Sequence, residues 1–342
     1  MDGTVIGGER VYVIAEAGVN HNGDLDRALG MVAVAAEAGA DAIKFQTFSA
    51  DRLVTASAPK AAYQAAATGG GSQRDMLRLL ELSPDDHERL IAACRDHDIA
   101  FLSTPFEEQS ADLLESLNVP AFKIPSGEIT NLPFLRHVAA KQRPMLVSTG
   151  MADITEVAAA VETILAAGND QFALLHCLSQ YPADPAEANL RAMATMARAF
   201  GCPVGYSDHT PGATVAIAAV ALGAALIEKH FTLDRNLPGP DHKTSLEPAA
   251  LNSLIADIRT VGAAMGDGRK RRQASEEDTA RVARKSLVAA RDIPAGSRIE
   301  AGMLVARRPG TGISPAELEQ VIGRTVARAI ARDSLLVPSD LA

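Results

Sequence analysis

Two lysines, two histidines and a set of hydroxyl and carboxyl side chains stand at the ends of short apolar runs, where core packing alone asks for none of them. Lys44 and Lys123 lie inside the β-prone stretches 42–47 and 121–126. An ammonium buried there without a partner is costly, so each must meet negative charge. Thr104, Ser126, Ser148 and Ser207 fall in the last residues of runs of the same kind. Lysine charge combined with short hydroxyl donors describes a pocket for a molecule carrying phosphate and carboxylate. His209 and His230 fall at the ends of the runs 204–209 and 226–232. Set side by side, two neutral imidazoles could hold a divalent ion, with Glu16 or Asp241 nearby and positions left open for substrate. His176 is as readily a hydrogen-bonded core residue.

Eight such runs recur: 12–17, 42–47, 99–104, 121–126, 144–149, 172–177, 204–209 and 226–232, each followed by a stretch of helical period. Strands alternating with helices in this number predict an α/β fold, a (β/α)8 TIM barrel, whose active site lies at the C-terminal ends of the strands. Polar residues at all eight ends fit that placement: Glu16, Lys44 with Gln46, Ser103-Thr104, Lys123 with Ser126, Ser148-Thr149, His176, Ser207-Asp208-His209, and Glu228-Lys229-His230. Asp24 is positioned to cap a helix that Gly39 stops, and Ser83-Pro84 opens another with acidic residues in its first turn. The connection 48–83 is overlong and contains Gly69-Gly70-Gly71, which marks it as functional or mobile. The Pro238-Gly239-Pro240-Asp241-His242 and Asn20-His21-Asn22-Gly23 segments can project side chains over the barrel mouth or serve as tight turns.

Near Gly266 the rhythm changes. Residues 1–266 form the expected barrel domain, 267–283 a charged linker with Arg269-Lys270-Arg271-Arg272, and 284–342 a compact β-rich unit with turn signals at Pro294-Ala295-Gly296 and Pro309-Gly310. So small a unit builds little core and is expected to lean on something larger.

The 342 residues carry a net charge of −9 and are 47% hydrophobic. That balance argues against a nucleic-acid or anionic-membrane surface, since both need clustered Lys and Arg. Any bound anion must find local positive charge inside a site. Cys94, Cys177 and Cys202 form no CxxC pair and read as reduced thiols. No basic stretch with a following apolar run opens the chain. The uncharged stretch 210–227 opens on Pro211-Gly212 and reads as a buried helix running into a strand. A cytoplasmic location is expected.

These residues also carry a resemblance. Ala15-Glu16-Ala17-Gly18-Val19-Asn20-His21-Asn22-Gly23, Lys44-Phe45-Gln46-Thr47-Phe48, Phe101-Leu102-Ser103-Thr104-Pro105-Phe106, Lys123-Ile124-Pro125-Ser126-Gly127-Glu128 and Ser148-Thr149-Gly150-Met151 resemble the sialic acid synthase family. So do Gly205-Tyr206-Ser207-Asp208-His209-Thr210, Glu228-Lys229-His230-Phe231-Thr232 and Gly239-Pro240-Asp241-His242, and the tail is similar to that family's antifreeze-like (SAF) domain. The likeness implies condensation of phosphoenolpyruvate with an N-acetylated hexosamine and water, by C–O cleavage, to give a nine-carbon sugar acid and phosphate. N-acetylmannosamine, giving N-acetylneuraminate, is the first expectation. The alternative is 2,4-diacetamido-2,4,6-trideoxymannose, giving N,N'-diacetyllegionaminate. Phe45-Gln46-Thr47-Phe48 and Leu178-Ser179-Gln180-Tyr181-Pro182 depart from the His-Gln-Thr-His form and the asparagine before tyrosine-proline of some sialic acid synthases. Residue by residue, the resemblance assigns phosphoenolpyruvate contacts to Lys44, Thr104, Lys123, Ser126, Ser148 and Ser207. It assigns Mn2+, with Mg2+ or Co2+ as alternatives, to His209 and His230. Glu16, Gln46, Glu128, Tyr181 and Asp241 surround the sugar, and Glu16 or Glu128 handles the proton. It further implies a domain-swapped homodimer in which Arg308 of one subunit reaches the sugar's N-acetyl group in the other.

Two other readings compete. A Schiff-base aldolase would use Lys44 or Lys123 as its amine and leave the histidines idle. A sugar- or ice-binding protein would want a flat threonine array, whereas the tail has Thr311 and Thr325 among arginines.

Overall fold

The computed structural model describes residues 6–8 and 10–342. The chain divides into two compact units, Met1–Gly266 and Asp267–Ala342.

In the first unit eight parallel strands form one sheet: β1 (Tyr12–Gly18), β2 (Ala42–Thr47), β3 (Ala100–Pro105), β4 (Phe122–Ile124), β5 (Met145–Ser148), β6 (Phe172–Cys177), β7 (Val204–Asp208) and β8 (Leu226–His230). Their order is β3-β2-β1-β8-β7-β6-β5-β4, and β3 runs in contact with β4, which brings the sheet round into a TIM-like barrel. The strands fall within a residue or two of the apolar runs. Helices follow where caps permit. Asp24 accepts from the Arg27 amide before the helix Leu25–Glu37, and Ser83, with Asp86 at the third position, opens Pro84–Asp96. Stretch 210–227 contains the helix Thr214–Ala221 and the start of β8. Among the described residues no helix is long and apolar enough to cross a membrane.

Alternation along the strands sorts side chains into two layers. Val13, Ala15, Ile43, Phe45, Phe122, Ile124, Val147, Tyr206 and Ile227 belong to the cluster that packs on the helices. Tyr12, Ile14, Ala42, Leu102, Leu146, Leu175 and Leu226, of opposite parity, form a separate cluster inside the barrel. Burying each Val, Leu or Ile contributes about 1.5–3 kcal/mol, so a one-residue slip in any strand is strongly disfavoured.

The long connection between β2 and β3 is not structureless. It folds into three short helices, Ala50–Leu53, Ala62–Thr68 and Gln73–Arg78. Lys60 holds the end of the second, its Nζ donating to Thr68 Oγ1 at 2.9 Å and to the Gly69 and Gly70 carbonyls at 3.1 Å.

The second unit pairs β9 (Ser286–Ala289) antiparallel with β10 (Leu304–Arg307) over a small core that includes Leu287, Ile293, Ile299, Val326 and Leu336. Within segment 267–283, expected as a linker, a 3-10 turn (Ala274–Glu276) leads into the exposed helix Glu277–Ala283.

Candidate active site

Above the inner apolar layer, the inward parity of the strands turns polar. Its next positions are Glu16, Lys44, Gln46, Thr104, Lys123, Ser148, Cys177, Ser207, His209, Glu228 and His230, and all of them line one cavity of about 680 Å3. The outward parity carries Ser103, Thr149, His176, Asp208 and Lys229 away from it, although these too stand at strand ends. His176 donates to backbone there, its Nε2 lying 2.8 Å from the Ala188 carbonyl, so the hydrogen-bonded core role is the observed one.

Four charged side chains, none more than 4% exposed, meet on the cavity floor. Lys44 Nζ lies 2.7 Å from Glu16 Oε2 and 3.7 Å from Glu228 Oε2, and donates to Thr104 Oγ1 at 2.8 Å. Lys123 Nζ lies 3.4 Å from Glu228 Oε1, which accepts from Ser207 Oγ at 2.9 Å. Burial pushes the Glu16 carboxyl up to about 7, with Lys44 opposing and the neighbouring Glu228 charge adding. Burial acts upward on Glu228 too, but Lys123, Lys44 and the Ser207 hydroxyl outweigh it and hold that carboxyl at about 2. Lys44 is raised in spite of burial because two carboxylates face it. Lys123 is lowered by burial, which Glu228 only partly offsets. Glu228 is thus the fixed anion of the quartet, and Glu16 the member able to exchange a proton near neutrality.

Hydroxyls surround the lysines. Ser148 Oγ is buried without a hydrogen-bond partner among the described residues, and Ser126 Oγ accepts from the Gly150 amide at 3.0 Å. A Cβ on Gly150 would come within 2.2 Å of Ser179 Oγ and 2.7 Å of Ser126 Oγ, so only glycine lets these loops close over the floor.

His209 and His230 stand beside the quartet with ring centroids 5.4 Å apart. The Tyr181 ring lies 4.2 Å from His209 and meets His230 edge-on at 5.7 Å. His209 Nδ1 donates to the Leu178 carbonyl at 2.8 Å, which leaves a bare lone pair on Nε2. Burial would lower the His209 pKa, but the Cys177 thiol and that carbonyl turn its net direction upward. Burial, then His209 and Lys44, hold His230 well below its ordinary value, so this imidazole is neutral. Its Nδ1 is buried with no hydrogen-bond partner among the described residues. Gly18, at φ +53° where β1 bulges, keeps the adjoining space open, because a Cβ there would lie 3.2 Å from Glu16 Oε1 and 3.5 Å from His230 Cε1. Two imidazoles 5.4 Å apart, one with a buried nitrogen that meets no partner among the described residues, fit a divalent ion that completes its shell with water or substrate. Glu16 and Asp241 line the same cavity as the two imidazoles. Nitrogen donors favour a first-row transition ion such as Mn2+ or Co2+ over Mg2+.

Gln46, Tyr181 and Asp241 line the same cavity, and burial pushes the Asp241 carboxyl up to about 6. Glu128 does not line it. After Ile124 the chain leaves the strand for a 3-10 turn, Ser126–Glu128, which turns Glu128 away. Its carboxylate accepts from Asn131 Nδ2 at 2.7 Å and borders a separate groove with Arg52 and Phe106. Of the two carboxylates considered for proton transfer, only Glu16 is on the floor. Arg308 follows β10 in the second unit and is exposed. Sequence reading put Glu228 at a strand end without giving it a role and passed over Cys177 as a lining residue; counting in twos from Leu226 and from Leu175 reaches both.

Residues 31–270 match the NeuB family and residues 284–342 match the SAF domain. The N,N'-diacetyllegionaminic acid synthases of Campylobacter jejuni and Legionella pneumophila are each 46% identical to this chain over 331 residues, covering 96% and 95% of it and 99% and 93% of their own lengths. The crystal structure of N-acetylneuraminic acid synthetase from Leptospira borgpetersenii is similar at a TM-score of 0.72 and 34% identity, over 82% of this chain and 93% of that one. With the family match and such relatives spanning nearly its whole length, the chain belongs to the NeuB family and carries a C-terminal SAF domain.

Proposed function

We propose that this enzyme condenses phosphoenolpyruvate with 2,4-diacetamido-2,4,6-trideoxymannose and water, giving N,N'-diacetyllegionaminate and phosphate. The observation that carries the reaction class is the meeting of Lys44 and Lys123 with two imidazoles in one cavity. N-acetylmannosamine, the first expectation from sequence, becomes the runner-up for a reason of packing. Phe48, Leu80 and Val19 cluster with Leu53, Leu77 and Phe106, and all six line the cavity on the side of the β2–β3 connection. A sugar hydroxyl set against such a wall loses water without gaining a partner, at about 1–3 kcal/mol. A 6-methyl group gains about 0.8 kcal/mol there. The two 46% relatives named for the diacetyl product support the same choice.

Lys44 and Lys123, with Thr104, Ser126, Ser148 and Ser207, hold the phosphate and carboxylate so that the methylene carbon faces the sugar aldehyde. That carbon bonds to the aldehyde carbon as the C=O π bond breaks, and positive charge develops at the enol-ether carbon. Water adds there; Glu16 takes the proton the water loses and passes it to the new alkoxide oxygen, and the tetrahedral intermediate expels phosphate by C–O cleavage, its hydroxyl proton leaving with the phosphate as the ketone forms. A divalent ion held by His209 and His230 would polarise the aldehyde when bound. Gln46, Tyr181 and Asp241 orient the sugar, and Arg308 of a homodimeric partner is assigned to its N-acetyl group on the resemblance. The Schiff-base alternative needs a neutral amine; Lys44 faces two carboxylates that keep it charged, and an amine on Lys123 would leave both imidazoles idle.

The test is phosphate release from phosphoenolpyruvate with each sugar, before and after EDTA. Release should be faster with the diacetamido sugar, disappear with EDTA and return with Mn2+. No release with either sugar would overturn the reaction class, and preference for N-acetylmannosamine would overturn the choice of sugar.

A further inference from the structure

We infer that Asp208 and Lys229, on the outer face of the barrel, are positioning residues that set the spacing of the two imidazoles inside it. Asp208 directly precedes His209 at the end of β7, and Lys229 directly precedes His230 at the end of β8. The two are register partners, in the last pair these strands form. Strand alternation sends both side chains outward while the histidines point inward.

On that outer face Lys229 Nζ donates to Asp208 Oδ2 at 2.7 Å and to the Thr210 carbonyl at 2.5 Å. Thr210 returns two bonds to Asp208 Oδ1, from its amide at 2.9 Å and its hydroxyl at 2.8 Å. The residues on either side of His209 are therefore both tied to the residue before His230. This matters because sheet pairing between β7 and β8 stops at Asp208. Beyond that pair no ladder bond among the described residues fixes His209 against β8, and the clamp takes over where the ladder ends.

Stability alone does not explain the pair. The lysine side chain is 1% exposed and the aspartate 0%, in a layer otherwise filled mainly by apolar side chains. Removing two charges from water costs about as much as their attraction returns, and apolar residues of similar volume often serve equally well. What an ion pair with three further hydrogen bonds adds is direction: it admits one separation of the two strand ends. A pair of ligands 5.4 Å apart at their ring centroids needs such definition, because ligand affinity falls steeply once the donors splay.

This inference rests on the metal reading of His209 and His230, and the experiment separates the two. Binding of Mn2+ to the full chain is measured by electron paramagnetic resonance of the free ion, alongside the thermal midpoint. The wild type should bind one ion, and H209A/H230A none. The apolar replacement D208L/K229M should fold with a midpoint near that of the wild type yet bind Mn2+ about 10–100-fold more weakly. If that variant does not fold, D208N decides, since it keeps the shape and removes the charge; its Mn2+ affinity should fall several-fold at an unchanged fold. A folded variant of either kind with wild-type affinity overturns the clamp. A wild type that binds no Mn2+ overturns the metal reading and the clamp with it.

Discussion

Glu228 competes with any incoming anion for both lysines, since its two carboxylate oxygens lie 3.7 Å from Lys44 Nζ and 3.4 Å from Lys123 Nζ. Replacing it with glutamine removes that competitor but leaves two buried ammonium groups facing Glu16 alone. Glu228→Gln is therefore expected to lower the thermal midpoint in the absence of ligand, and to show a larger stabilisation by inorganic phosphate than the wild type does. Thermal unfolding with and without phosphate checks both signs. Lys123→Met, which removes a phosphate partner and leaves Glu228 with less compensation, should reduce kcat/KM by about 100-fold or more. At this scale the sequence is informative where a residue type is out of place. Lysines within apolar strands and histidines at strand ends announce themselves. Glu228 does not, because the three charged residues Glu228-Lys229-His230 look alike until alternation assigns the middle one to the outside. Glu128 stands off the cavity floor for the converse reason: the strand period ends at Ile124, and nothing in the residue types marks the turn that follows.

At the scale of elements, the loops after β1 and β8 are latched by neutral histidines. His242 Nδ1 lies 2.7 Å from Thr232 Oγ1 and its Nε2 3.1 Å from Asn22 Oδ1, while His21 Nδ1 accepts from the Gly23 amide at 3.0 Å. Both rings are fully buried. Burial, with Arg27 adding to it, pushes His242 from its ordinary 6.5 down to about 4, and burial with His87 and Arg27 does the same to His21. A depressed folded-state value means that the unfolded chain binds the proton first. Their stabilisation is complete above pH 6.5 and is lost as the pH falls from there towards 4. The urea midpoint should drop across that window, and His242→Gln should make the drop shallower; equal slopes would remove His242 from the account. The β2–β3 connection makes a second case. Leu77→Gln places an amide on the apolar wall and should shift the ratio of kcat/KM towards N-acetylmannosamine by about 10-fold. The eight strands and their helices were legible because apolar period and caps agree. The short helices at Ala50–Leu53, Ala62–Thr68 and Gln73–Arg78 were not, because four to seven residues carry too little period to distinguish from a loop.

At the scale of the molecule, the sequence marks a change of rhythm at Gly266, and the chain divides into its two compact units after that residue. The helix Glu277–Ala283 went unseen because it is exposed and charged, with no apolar face to betray it. What a small SAF unit does for a barrel is a question of assembly. If Arg308 serves the sugar site of a partner subunit, mixing Lys123→Ala chains with Arg308→Ala chains should restore about a quarter of wild-type activity, because half the dimers are mixed and each has one intact site. No recovery after subunit exchange would place Arg308 within its own subunit's site or in none. The central claim is that one cavity holds a cation on His209 and His230 and an anion on Lys44 and Lys123. Crystals grown with Mn2+ and phosphoenolpyruvate test it directly through anomalous difference density. A single manganese peak in contact with both imidazoles, with the phosphate against the two lysines, is the expected result. A peak away from the histidines, or phosphoenolpyruvate bound outside the cavity, would contradict the account.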